Sequence, residues 1–173
     1  KNFPFKNTKL LIANKSVMSR IDDRKKGAAY IERIKKILFD DLKLTNKKIL
    51  VLGAGGFSLS AETENENEFI YVDIDDGLHA FVEKHFLKEI KGQTVSQDAR
   101  AFLRETKQKF DVVVVDVYSN MYTIPEHLVT QDYFLQIRKV LPNKGMAIFN
   151  IISSPFLKDP YSKRMDNTIH SVF

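Results

Sequence analysis

The sequence predicts an α/β domain on a doubly wound, mostly parallel sheet. Three observations lead there. Short apolar runs recur without polar alternation, as strands buried on both faces do: Ile49-Leu50-Val51-Leu52, Phe69-Ile70-Tyr71-Val72, Val112-Val113-Val114-Val115, and a fourth over residues 146–152. Stretches with helical spacing lie between these runs, so strand and helix alternate as in right-handed βαβ units. The first three runs end on Gly53, Asp73 and Asp116, the residue types that serve a ligand at the carboxyl edge of such a sheet.

The elements follow in order. Leu10-Leu11-Ile12-Ala13 with Val17 and Met18 predicts a hairpin over residues 9–19. Ile31, Ile34, Leu38 and Leu42 at helical spacing predict an amphipathic helix over 28–42. Leu78, Phe81, Val82, His85 and Phe86 share one face of a second helix. A weak strand fits 94–97, and Phe102 and Leu103 belong to a helix over 99–107. Residues 132–141 form another helix, with Phe134, Leu135, Ile137 and Leu141, and Pro142 with Gly145 mark the turn out of it. The segment 62–68 alternates Glu with Thr or Asn and reads as a solvated loop. Residues 156–173 have room for one more helix.

Composition narrows the function. The chain has 173 residues, enough for one domain with a real core. With no cysteine it has no disulfide framework, no cysteine metal site and no thiol chemistry. No apolar run reaches the roughly 18–20 residues of a membrane helix. The net charge of +5 is mild and sits mainly in the first third, where Arg24-Lys25-Lys26 lacks interleaved aromatics. Neither a nucleic-acid nor a membrane partner is expected. His79, His85, His127 and His170 lack metal-ligand spacing, so they read as surface or helix-face residues and no metal is expected.

The strand ends carry the chemistry. Gly53-Ala54-Gly55-Gly56 is a loop that lets a ligand approach the backbone, or simply a tight turn. Asp73 follows Gly53 by twenty residues, the place of a ribose-binding carboxylate. Asp75 and Asp76 read as caps of the next helix. Asp98 can accept an adenine amine, cap the helix beginning at Ala99, or do both with its two oxygens. Asp116 ends a four-valine strand, where an ionised group is costly unless it faces a cleft or a partner. It reads as a base, as an anchor for a cation, or as a loop cap. The segment 58–68 is too short and polar for the long phosphate-facing helix of a dinucleotide site.

These pieces resemble the polyamine aminopropyltransferases, the spermidine synthase family, within the Rossmann-like class I S-adenosylmethionine-dependent methyltransferase fold. The likeness is carried by residues 48–58, 69–75, Asp98-Ala99-Arg100-Ala101-Phe102-Leu103, Phe110 through Asp116, and the segment beginning Glu126-His127-Leu128-Val129-Thr130. The resemblance implies S-adenosylmethionine or its decarboxylated form as co-substrate. Gly53 and Gly55 would line its methionine end, and Asp73 with Ile74 the ribose. Asp98 and Ala99 would hold adenine. Asp116 would be catalytic, and Tyr30, Tyr118 and Ser119 would face a small amine or other small acceptor. A cytoplasmic enzyme, as a homodimer, is what the resemblance implies.

The chain departs from the family where the amine would bind. Gly56 and Ser119 stand where the family carries aspartates, and Ile31 follows Tyr30 where a polar residue is common. The nucleotide half matches the family while the amine half is altered. Three readings stay open: aminopropyl transfer, methyl transfer to another small acceptor, and a non-catalytic nucleotide-binding homologue. Residues 1–27 are expected to be a reduced N-terminal β element, and 28–173 an α/β domain whose sheet is truncated at the C-terminus.

Overall fold

The computed structural model describes residues 8–13, 16–23, 26–61, 66–118 and 124–173. The strands β1 (Lys9–Ala13) and β2 (Ser16–Ile21) pair antiparallel, as the expected hairpin. Helix α1 (Ala29–Lys35) follows, then β3 (Lys48–Leu52), β4 (Glu68–Asp73), α2 (Leu78–His85), β5 (Gln93–Ser96), α3 (Ala99–Glu105) and β6 (Val112–Val115). A 3₁₀ turn over Glu126–Leu128 leads into α4 (Gln131–Val140), β7 (Met146–Phe149) and α5 (Pro160–His170).

The main sheet runs β5-β4-β3-β6-β7, and every neighbouring pair is parallel. The chain therefore winds outward from β3 in both directions, and the crevice between β3 and β6 is the topological switch point. The apolar runs divide by parity. Ile49, Val51, Phe69, Tyr71, Val112 and Val114 face a core shared with the hairpin, α1 and α2. Leu50, Leu52, Ile70, Val72, Val113 and Val115 face a second core filled by α3, α4 and Met165 of α5. Burial on both faces is why these strands lack alternation.

Several expectations need correction. The first helix does not stay α-helical to Leu42: after Lys35 it widens into a π-helical turn over Lys36–Asp41, with Leu42 N–H bonded to the Ile37 carbonyl at 3.0 Å. The extra residue shifts the helical phase, so Ile31, Ile34 and Leu38 are buried while Leu42 turns outward. Leu78, Val82 and Phe86 do face the core, whereas Phe81 and His85 lie outside with their rings tilted at 47° and 4.9 Å apart. Leu135 likewise points to solvent. The fourth apolar run stops as a strand at Phe149, because Tyr118 takes the next ladder groups. Its hydroxyl donates to the Asn150 carbonyl at 3.0 Å and accepts from Ile152 N–H at 2.8 Å.

The segment 58–68 reads as polar, yet its first residues are packed into the core. Phe57, Ser58, Leu59, Ser60 and Ala61 are buried. The buried Tyr71 hydroxyl accepts from Ser60 N–H at 3.0 Å and donates to Ser60 Oγ at 2.8 Å, which satisfies polar groups that would otherwise need water. Residues 62–65, and Arg24 and Lys25 of the basic turn, lie outside the described residues; Glu68, placed in the loop by its composition, begins β4.

Leu50 is fully buried at the centre of the sheet. Leu50→Ala is expected to cost about 2–5 kcal/mol of folding stability, read from the midpoint of urea unfolding.

Candidate active site

Strand register sets the site before any side chain acts. Leu52 pairs with Val72 on one side and Val115 on the other, and Val115 pairs with Phe149. The residues just past these positions leave the sheet at one level. Gly53 N–H donates to the Val72 carbonyl at 2.8 Å, Asp116 N–H to Leu52 at 2.8 Å, and Asn150 N–H to Val115 at 2.9 Å. Gly53, Asp73, Asp98, Asp116 and Asn150 thus line the carboxyl edge of the sheet.

Gly53 sits at the crevice with φ of 85°. A Cβ there would lie 2.1 Å from the Asp116 carbonyl oxygen, so the chain turns over the end of β6 only with glycine at this position. Gly55 is half-buried in the same loop. The loop is fixed from β4: Asp73 Oδ2 accepts from Ala54 N–H at 2.8 Å, while Oδ1 accepts from Asp75 N–H at 3.1 Å. Next to it Ile74 is 76% exposed, an apolar side chain left open at the cleft mouth.

The expected caps resolve differently. Asp75 does not cap α2, which begins after Gly77 with no side-chain cap. Its Oδ1 accepts from Gly77 N–H at 2.9 Å, closing a turn just before the helix. Asp98 does cap α3, accepting from Ala101 N–H at 2.9 Å, and Ala99 is buried as the first helical residue. The second Asp98 oxygen faces His127 Nε2 at 3.2 Å. Burial works to raise the Asp98 pKa, but the bonds from Ala101 and His127 outweigh it and hold the carboxyl below its usual value.

Asp116 is the centre of a small network. Tyr30, in the first turn of α1, donates its hydroxyl to Asp116 Oδ2 at 2.8 Å. Asn150 Nδ2 donates to Oδ1 at 2.8 Å. Burial raises the Asp116 pKa; the two donated bonds oppose that, and the charge of nearby Asp73 adds to it. Burial and the Asp116 charge push the Tyr30 hydroxyl far up, so it stays a proton donor. Asn150 escaped the sequence reading because it lies within an apolar run. Its signal was its place at the same strand level as Asp116. His127 escaped as a surface histidine, which it is, although it reaches Asp98.

Of the other expected site residues, Tyr118 spends its hydroxyl on the chain beyond β7, and Ser119 lies outside the described residues. Gly56 has no room for the family's aspartate. A Cβ there would meet Phe86 Cε1 at 2.5 Å and Ser19 Oγ at 2.7 Å, because the hairpin and the end of α2 close on it. Among the described residues no group of three or more His, Cys, Asp or Glu side chains is placed to hold a metal, and no helix is long and apolar enough to cross a membrane.

The raised pKa of Asp116 carries a sign. A carboxyl raised in the folded state adds stability below its unfolded value, roughly 3.9, and loses that contribution as pH rises through the folded value. Asp116→Asn is therefore expected to raise the melting temperature at pH 7, and the gain to shrink as pH falls toward 4, measured by thermal denaturation across that range.

Comparisons with known proteins bear on the family and the fold. The family model described as the spermine/spermidine synthase domain matches residues 28–173. A polyamine aminopropyltransferase of Vibrio vulnificus is 30% identical over 135 residues, covering 73% of this chain and 44% of that protein. One of Saccharolobus solfataricus is 25% identical over 169 residues, covering 88% and 56%. The chain spans about half the length of the curated relatives it matches. A probable spermidine synthase from Corynebacterium glutamicum superposes with a TM-score of 0.78 at 17% identity, over 99% of this chain and 65% of that one. A spermidine synthase in complex with the transition-state analogue AdoDATO gives 0.64 at 19%, over 83% and 52%. A human methyltransferase-like protein 13 in complex with SAH gives 0.61 at 18%, over 83% and 68%, a likeness of fold. The match over residues 28–173 places this chain in the spermine/spermidine synthase family.

Proposed function

We propose that the chain transfers an aminopropyl group from decarboxylated S-adenosylmethionine to a small amine, with Asp116 as the base. The observation that carries this reading is the half-buried Asp116 carboxylate at the switch point, held by Tyr30 and Asn150 and near the charge of Asp73. Two carboxylates in one cleft favour a cation, and both a sulfonium and a protonated amine are cations.

The residues suit the donor. The Gly53 turn leaves open backbone where a side chain would stand. Asp73 retains acceptor capacity on each oxygen for ribose hydroxyls, and Asp98 Oδ2, partly exposed beside His127, retains a lone pair for an adenine amine. Ile74 offers an apolar face beside them. When bound, the sulfonium nucleoside supplies a carbon already joined to a good leaving group, so alignment of the nucleophile dominates the catalysis. An alkylamine has a pKa near 10 and must lose a proton to attack. Asp116 accepts that proton or passes it to water, and its raised pKa brings it closer to that task. Tyr30 and Asn150 hold the carboxylate so that its lone pairs keep one direction. The same reading carries a cytoplasmic location, no nucleic-acid or membrane partner, and a homodimer.

One observation favours a second reading. The packing of Ser19 and Phe86 against Gly56 excludes the side chain with which the family binds the amine. Methyl transfer from carboxylated S-adenosylmethionine has no need of that aspartate.

Calorimetry with both donors separates the two. Tighter binding of the decarboxylated form is expected, and preference for the carboxylated form would establish the second reading instead. Asp116→Asn is expected to lower kcat by about a hundred- to ten-thousand-fold. Turnover at the parent rate would remove Asp116 as the base.

A further inference from the structure

Asp98 divides its oxygens between two tasks. Oδ1 caps α3 through Ala101 N–H. Oδ2 is not needed by the helix, and it stands 3.2 Å from His127 Nε2, with side chains 34% and 51% exposed. The imidazole is carried by the 3₁₀ turn over Glu126–Leu128, and that turn is fixed from behind. Arg100 Nη1 donates to the His127 carbonyl at 3.1 Å, and Nη2 lies 3.8 Å from Asp132 of α4. Leu128 is buried in the core beside it. The backbone at His127 is thus held by the neighbouring elements, while its side chain is half exposed.

Carboxylate and imidazole side by side make an acceptor next to a donor. That is the pattern with which an asparagine or glutamine side chain reads the N6 amine and N7 of adenine. We propose that His127 is an adenine-specificity residue. With the exocyclic amine on Asp98 Oδ2, His127 Nε2–H turns from the carboxylate to N7 of the base. This rests on the proposed adenosyl donor. Opening the pair costs little, since a half-exposed contact of this kind contributes little to stability. A 6-oxo purine would set a carbonyl oxygen against Oδ2, an acceptor against an acceptor, so the same edge rejects it.

The test is a binding cycle by calorimetry. 5′-Methylthioadenosine and its 7-deaza counterpart are titrated into the parent and into His127→Ala. The substitution leaves the backbone carbonyl that Arg100 holds, so the turn is retained. The parent is expected to bind the 7-deaza compound about fivefold to tenfold more weakly, the worth of one hydrogen bond. His127→Ala is expected to bind both compounds equally, and methylthioadenosine about as much more weakly than the parent does. Equal binding of the two by the parent, or discrimination retained in His127→Ala, would overturn the inference while leaving the donor in place. Failure of the parent to bind methylthioadenosine would overturn both.

Discussion

The site depends on one close approach, the passage of Gly53 over the end of β6. Asp116 N–H is bonded to the Leu52 carbonyl, and a Cβ at position 53 would fall within 2.1 Å of the Asp116 oxygen. Only a residue with no side chain, at positive φ, lets the backbone leave β3 here. Everything else in the cleft is placed relative to this crossing. It sets the glycine loop beside Asp116, and Asp73 then ties the loop to β4 through Ala54. The parallel register carries the same level outward to Asn150 on one side and to Ser96 on the other, two residues short of Asp98.

The crossing also creates an electrostatic problem. It half-buries a carboxylate between two strands and near a second one, and desolvation without partners would favour its neutral form. Tyr30 and Asn150 each donate one hydrogen bond and oppose that tendency without cancelling it. The result is a carboxyl whose charge the fold tolerates at some cost in stability. Such a cost is expected where a group is kept for binding or proton transfer rather than for packing. A bound cation would relieve it, so the cleft is arranged to favour what the proposed chemistry brings.

The parts visible in the sequence are those decided locally. The buried strands were legible because both faces are apolar, so each run is continuous from Ile49, Phe69 and Val112. Asp73 and Asp116 were legible because a charged residue directly after such a run needs a reason, and Asp98 because it stands before a helix at the end of a strand. The parts missed are decided by contacts far apart in the chain. Nothing near Leu42 announces the π-helical turn that carries it outward. Asn150 looks like one residue of an apolar run until Tyr118 ends the strand and register sets it against Asp116. Gly56 reads as a lost aspartate, whereas the fold shows a position closed by Ser19 and Phe86. Likewise His127 is an ordinary surface residue until the turn after Pro125 brings it to Asp98.

The central claim is that the row from Gly53 to Asn150 forms a single adenosyl site with Asp116 facing the reacting centre. A crystal structure of the protein with 5′-methylthioadenosine tests it most directly. The account predicts the adenine amine on Asp98, the ribose hydroxyls on Asp73, and the thioether sulfur between the Gly53 turn and Asp116. Nucleoside seated away from the Gly53–Asp116 crevice, or turned so that its sulfur points away from Asp116, would contradict it.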